Sequence, residues 1–423
     1  MTRVSCAQPA TSMIDSARWP DVAAAAGPRG RAAVARVLFT RAAARLPLRV
    51  RFPDGHLLGA GPADSPVMNL RRPQEFFRRL GAGGLIGFGE AYMAGDWDTS
   101  DLVGLLTVFA RQTASLVPAW AQRLRRVAVR GQPTADEPTP DGARRNIHRH
   151  YDLSNDLFAL FLDETMTYSS ALFGTDSASR PVAGEDLLAE AQRRKIDRLL
   201  DRAGVRQGTR LLEVGTGWGE LALRAAARGA SVLTITISPE QRELAARRIA
   251  DAGLSGQVRA ELRDYRDVHG EFDAICSAEM IEAVGEKYWP GYFGALGRAL
   301  APGGRIGLQA ITMDHDRMLA TRHSYTWIHK YIFPGGLIPS VTAIEDNARR
   351  CGLRVSDRED FGRHYEQTLR IWRERFTARL GQVKRLGFDD TFIGMWTFYL
   401  CYAEAGFRSG YLDVCQLTLE GSR

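Results

Sequence analysis

Cysteine is scarce in this chain. There are five in 423 residues: Cys6, Cys276, Cys351, Cys401 and Cys415. The number is odd and no Cys-x-x-Cys pair occurs, which argues against a disulfide framework and against a cysteine zinc site. The pattern predicts a reducing, cytoplasmic setting. Long apolar runs are missing as well. No stretch approaches the ~18–20 residues needed to span a bilayer. The first residues lack the charged start and apolar core of a signal peptide. A membrane, if it is a partner, is therefore met at its surface. No basic-aromatic module for nucleic acid stands out. Acidic residues are the minority charge, 49 against 56 Lys and Arg, for a formal net charge of +7. That excess favours an anionic partner, nucleic acid or a phospholipid surface, without choosing between them. The remaining composition, 45% hydrophobic and 25% charged, is that of a globular protein long enough for two or three domains.

Punctuation divides the chain. Gly30 to Leu46 reads as a helix, Leu48 to Phe52 alternates like a strand, and Pro53-Asp54-Gly55 supplies a turn. These belong to an N-terminal accessory domain of mixed α+β character, residues 1–130. Near its end, 120–130 is basic and amphipathic, either a lipid-facing helix or a solvated one. Residues 131–142 are rich in Pro, Gly and polar side chains and form the expected linker. From 143 to 423 the pattern turns α/β, with strands at 210–214, 231–237, 272–277 and 305–310 alternating with helices at 189–203, 218–228, 240–252 and 292–300. Such alternation implies right-handed crossovers and a parallel, Rossmann-like sheet. Ligands sit beyond the carboxyl ends of such strands.

The motifs fall at those ends. Leu211-Leu212-Glu213-Val214-Gly215-Thr216-Gly217-Trp218-Gly219 is a buried strand followed by a glycine turn. Gly215, Gly217 and Gly219 let the backbone turn tightly and approach a ligand. The spacing is not the Gly-x-Gly-x-x-Gly of dinucleotide folds, which disfavours a nicotinamide oxidoreductase. Glu213 beside the turn suits a cationic ligand and points to S-adenosylmethionine (SAM). Further strand ends carry Thr236-Ile237-Ser238-Pro239-Glu240-Gln241, Arg263-Asp264-Tyr265 and Ser277-Ala278-Glu279-Met280-Ile281-Glu282, which offer polar groups and an aromatic slot to a nucleoside.

His150–Asp156, Met166–Ser170, Leu212–Gly219, Thr236–Gln241, Ile281–Gly285, Leu308–Thr312, Lys330–Gly336 and His364-Tyr365 together resemble, in family order, the cyclopropane-fatty-acid synthases. The resemblance is dense over 142–423 and looser before it. It is strongest to the actinobacterial branch that methylates oleoyl chains of phospholipids toward tuberculostearic acid. It implies a class I SAM-dependent methyltransferase domain. Tyr168 and Ser169 would contact the cofactor, Thr236, Ile237 and Gln241 would hold its ribose, and Asp264 with Tyr265 would border the adenine. Tyr325 to Phe333 would help line an acyl channel, unless it is ordinary core. The family's site holds a bicarbonate as base. Glu282 and Tyr365 match two of its holders. Ser170 stands where most members have Cys, Gln309 where many have His, and Glu279 where Gly is common.

In that chemistry a cis alkene takes the methyl of SAM and leaves a carbocation. Proton loss with ring closure gives a cyclopropane. A hydride shift followed by proton loss gives an exocyclic methylene. Both need a base near the new methyl and a dry pocket. Glu279, three residues from Glu282 and on the same face if that turn is helical, would raise the pKa of one of the two and favour the methylene product, unless it merely binds a neighbouring Arg or the cofactor. Rival readings are a cyclopropane synthase, a methyltransferase of a soluble small molecule, and a lipid-binding subunit without catalysis. A saturated methyl branch would need a separate reductase, and the chain would work at the inner face of the membrane. A homodimer stays open.

Overall fold

The computed structural model describes residues 14–25, 27–116, 133 and 154–422. The expected linker 131–142 (save Pro133), the basic stretch 120–130 and the motif's 150–153 lie outside the described residues. The chain divides into two compact units. The first is Met1–Gly131 with Ser324–Ile332 and Trp372–Tyr411, and the second is Gln132–His323 with Phe333–Ile371 and Leu412–Arg423. This departs from the expectation of one uninterrupted domain over 143–423, because two later segments cluster with the N-terminal part.

The first unit holds a four-stranded sheet in the order β2-β1-β3-β4, where β1 is Arg49–Arg51, β2 Leu57–Leu58, β3 Val67–Leu70 and β4 Trp97–Asp98. The helix Asp390–Arg408 is buried along nearly its whole length, so it reads as a core helix rather than a surface one. Tyr325–Phe333 was expected to line a channel. Its helical part, Trp327–Tyr331, is instead packed into this unit. Trp327 is buried, with its ring 4.7 Å from that of Phe398. A Cβ on Gly89 would lie 2.4 Å from the Trp327 ring, so only glycine fits beneath it. Tyr331 donates to Glu90 Oε1 at 2.8 Å, and Lys330 pairs with the same carboxylate. Trp327 and Ile332 of this segment are core, while Ile328 and Tyr331 are half-buried.

The second unit is built on a seven-stranded sheet. Two short strands come first, β5 (Gly174–Thr175) and β6 (Pro181–Val182). The sheet itself is β7 (Arg210–Val214), β8 (Ser231–Thr236), β9 (Val258–Leu262), β10 (Phe272–Ala278), β11 (Leu300–Thr312), β12 (Leu353–Asp360) and β13 (Asp413–Gly421), ordered β12-β13-β11-β10-β7-β8-β9. The strands β7 to β11 are parallel, and β13 runs antiparallel to both neighbours, so the sheet is not wholly parallel as expected. Residues 301–304 are an irregularity inside β11 where its register with β10 shifts.

Both faces of the sheet are covered. Leu212, Val214, Ile275 and Ile306 pack with Trp289, Tyr292 and Phe293. Leu211, Val232, Ala274 and Cys276 pack with Ile196, Leu199 and Leu221. Neighbouring strand residues point to opposite faces, and each finds an apolar layer there. This fixes the strand register and places the polar motifs at the carboxyl ends.

Candidate active site

β7 ends in Glu213 and Val214, and the chain then turns through Gly215 (φ 97°), Gly217 (φ 51°) and Gly219 (φ 92°). Residues with a side chain rarely adopt these angles. A Cβ on Gly215 would also lie 2.6 Å from Met280 Cγ. Gly219 caps the helix Glu220–Ala227, which starts two residues later than the expected 218 because the left-handed glycine ends the turn there. Ser238 caps the helix Pro239–Asp251, accepting from Gln241 N at 3.2 Å. Thr236 donates to Gln241 Oε1 at 2.8 Å. Asp264 accepts from Arg266 N at 2.9 Å and opens a short 3-10 turn that carries Tyr265, which meets Tyr292 edge to face at 5.3 Å. Ile237 is partly exposed.

Glu213 is 3% exposed, and its Oε2 has no hydrogen-bond partner. Burial pushes its pKa up to about 8, against the pull of Thr234 and the Lys195 ammonium. An orphaned buried carboxylate oxygen beside a glycine turn fits a ligand that carries positive charge, as the sulfonium and amino groups of SAM do.

Tyr168 packs against Phe158 at 5.1 Å. Ser169 is gripped by the helix Leu188–Arg202: Lys195 Nζ donates to Ser169 Oγ at 2.6 Å and Gln192 Nε2 to Ser169 O at 2.8 Å. Sequence reasoning missed both residues, although two polar side chains on the buried stripe of an amphipathic helix are the visible signal. The helix Gly362–Ala378 holds the next residues. Ala171 N donates to Thr368 Oγ1 at 3.1 Å and Phe173 N to His364 Nδ1 at 3.0 Å. Burial lowers the His364 pKa to about 4, which keeps the ring neutral and able to accept.

These clamps aim Ser170 at the second cluster. Glu279 Oε1 accepts from Ser170 N at 3.0 Å and from Gln309 Nε2 at 2.8 Å, and Oε2 accepts from Tyr365 OH at 2.7 Å. The Ser170 hydroxyl itself donates away, to Ala171 O. Glu279 adopts a left-handed backbone with φ 54°, so the 279–282 turn is not helical as expected. The short helix begins only at Ile281. A glutamate in that conformation costs about 1–2 kcal/mol, a cost that glycine would not bear. Glu282 Oε1 accepts from Ile311 N at 2.5 Å, and its Oε2 has no partner. Burial raises the pKa of both carboxyls. For Glu282 the charge on Glu279 adds to burial, and it reaches about 8. Glu279 therefore ionises first, helped by its three donors and Lys195, while Glu282 keeps its proton at neutral pH. The donors a bicarbonate would need here already serve Glu279, and a further anion would face two carboxyl groups. The residues present do not fit it.

The family profile described as mycolic acid cyclopropane synthetase matches residues 139–417. Over 98% of this chain and 98% of its own length, the tuberculostearic acid methyltransferase UfaA1 of Mycobacterium tuberculosis is 53% identical. The cyclopropane-fatty-acyl-phospholipid synthase of Escherichia coli K12 is 33% identical over 85% of this chain and 88% of its own. Among solved structures, the mycolic acid cyclopropane synthase CmaA1 in complex with SAH and CTAB is 30% identical with TM-score 0.59, covering 68% of this chain and 98% of that one.

Proposed function

The chain belongs to the mycolic acid cyclopropane synthetase family and is a SAM-dependent methyltransferase that modifies acyl chains; from that premise we propose that it methylates the double bond of an oleoyl-type chain in a phospholipid and releases a 10-methylene product. The observation that carries this reading is the Glu279 carboxylate, held by Ser170, Gln309 and Tyr365 where the resemblance implies a bicarbonate.

Glu213 and the glycine turn hold SAM, which supplies an electrophilic methyl group. The alkene's π electrons bond that methyl carbon, and SAH leaves with the electrons of the broken C–S bond. The chain is left with a carbocation. A hydride shift from the methylated carbon makes the cation tertiary. Glu279 then takes a proton from the new methyl, and the C–H electrons close the exocyclic double bond. A fixed carboxylate with a raised pKa is a stronger base than an ordinary one and needs no diffusible partner. Glu282, still protonated, keeps a second negative charge from competing. The alternative, ring closure to a cyclopropane, uses the same groups without the hydride shift.

Access to lipid is proposed to come from the first unit. The helix Arg29–Ala43 leaves Val34, Val37 and Leu38 exposed by 60%, 48% and 50%. Four arginines and no acidic residue share that helix, a composition suited to lying on an anionic bilayer surface at the inner face of the membrane. No helix among the described residues is long and apolar enough to cross a membrane. A saturated methyl branch would require a separate reductase.

Incubation with SAM and dioleoyl phospholipid vesicles, then mass spectrometry of the fatty acid methyl esters with ozonolysis, tests the reading. A product 14 mass units heavier that is cleaved to a 10-keto ester is expected. An ozone-resistant product of that mass would replace it with the cyclopropane reading.

A further inference from the structure

Behind Glu279 runs a row of hydrogen bonds that all point the same way, buried at Gln309 and Gln416 and half-buried at Arg198. Arg198 Nε donates to Gln416 Oε1 at 2.7 Å. Gln416 Nε2 donates to Gln309 Oε1 and to the carbonyl of Lys195, both at 3.0 Å. Gln309 Nε2 donates to Glu279 Oε1 at 2.8 Å. Gln309 on β11 and Gln416 on β13 are direct partners in the antiparallel ladder, and neither is exposed. Arg198 is itself anchored by an ion pair with Glu359 and by the Phe361 ring, 4.6 Å from its guanidinium carbon.

A primary amide presents oxygen to one side and NH2 to the other, and its polarity is set by its neighbours. The two glutamines alone would tolerate reversal, since flipping both keeps a hydrogen bond between them. The far end removes that freedom. A guanidinium only donates and a backbone carbonyl only accepts. Arg198 therefore takes the Gln416 oxygen, and the Lys195 carbonyl takes its NH2. Gln309 must then give its oxygen to Gln416 and its N–H to Glu279.

We propose that Gln416, oriented by Arg198, is a positioning residue for the base: it locks the Gln309 amide so that an N–H, and never the C=O, faces Glu279. A protonated Glu279 needs an acceptor, and the locked amide offers none. An ionised Glu279 finds a donor already in place. The row thus favours the carboxylate form without touching substrate. The inference rests on the reading of Glu279 as proton acceptor. The other titratable groups facing Glu279 are Lys195, Glu282 and Tyr365, and the variants below leave all three in place.

The test is the titration of Glu279 in full-length protein labelled with carboxyl-13C glutamate, assigned by the signal lost in Glu279→Gln. Gln416→Met removes all three side-chain hydrogen bonds, from Arg198 and to Gln309 and the Lys195 carbonyl, without adding charge. Gln309 can then turn its C=O to a protonated Glu279, and the midpoint is expected to rise by about one pH unit. Gln416→Glu forces the Gln309 N–H toward residue 416 and is expected to raise it further. SAM affinity, measured on the same samples, is expected to stay at the wild-type value and shows that each variant is folded. Unchanged midpoints in SAM-binding Gln416→Met and Gln416→Glu overturn the proposal. A rise in Gln416→Glu alone also overturns it, because added charge would then suffice. The titration needs no turnover, so a failed vesicle assay counts against the proposed substrate and leaves this result standing.

Discussion

Two buried glutamates at neighbouring strand ends have been built in opposite ways. Glu213 keeps one carboxylate oxygen without a partner, while every oxygen of Glu279 is taken by a donor. Burial raises the Glu213 pKa to about 8, so ionising it at neutral pH is costly unless a cation arrives to meet it. The Glu213 end therefore suits a receptor, and the cationic cofactor is its proposed partner. The Glu279 end is complete before any ligand binds. It is proposed as the reagent, and the protein accepts a left-handed glutamate at that position.

The comparison breaks most visibly if the reagent is removed. Glu279→Gln keeps the shape and loses the base, so the rate of methyl addition to dioleoyl vesicles is expected to fall by about 10²–10⁴-fold. SAM binding, followed by calorimetry, is expected to persist. Glu279→Gly should relax the backbone but leave the donors of Ser170, Gln309 and Tyr365 without their acceptor, and it should move product away from the methylene ester. An unchanged product ratio in Glu279→Gly would sink the assignment of Glu279 as base.

Removing the receptor should act on binding instead. Glu213→Gln is expected to weaken SAM by about 10–100-fold, the worth of a charge-assisted hydrogen bond. The ligand-free Glu213 pKa is near 8, so a cation that favours the ionised form must displace a proton at neutral pH. SAM affinity should rise with pH up to about 8 and then level. Binding heats measured in buffers of different ionisation enthalpy would show the released proton, and Glu213→Gln should show none. Gly215→Ala probes the same end by shape. Its Cβ meets Met280 Cγ at 2.6 Å and its φ of 97° is unfavourable, at a cost of about 1–3 kcal/mol seen as a lower Tm.

The receptor was far more legible in the sequence than the reagent. Strand, acidic residue and glycine spacing are local, so Glu213 to Gly219 could be read from consecutive residues. The sheet followed from alternation of strand and helix, but the strand β9 and the reversed strand β13 did not. β13 is separated from its partner β11 by about a hundred residues of other structure, and pairing across such a gap leaves no periodic trace. The same distance hid Gln416 and Arg198, which reach Glu279 only through tertiary contacts. Tyr325 to Phe333 shows the opposite failure. Its aromatic spacing was real, yet the room for the Trp327 ring is left by Gly89, a residue far away in sequence. Glu279 stood out only as a departure from the resembled pattern, and its backbone angle gives that departure a physical cost.

The smallest effect tests whether the neighbour of the reagent truly holds a proton. Glu282 has a folded-state pKa of about 8, raised from an ordinary value of 4.5 by burial and by the charge on Glu279. Between those two values the folded state binds more protons than the unfolded chain, so this group makes stability fall as pH rises. Below the lower value both states are protonated and the group is silent. Above the upper value the loss is complete. Glu282→Gln mimics the protonated side chain and removes this contribution alone, since Glu213 titrates in the same window in both proteins. Chemical denaturation from pH 5 to 9 should therefore show the variant gaining on the wild type as pH increases. A constant gap between the two curves would mean that Glu282 is ionised throughout, and the charge at this end of the site would have to be assigned the other way round.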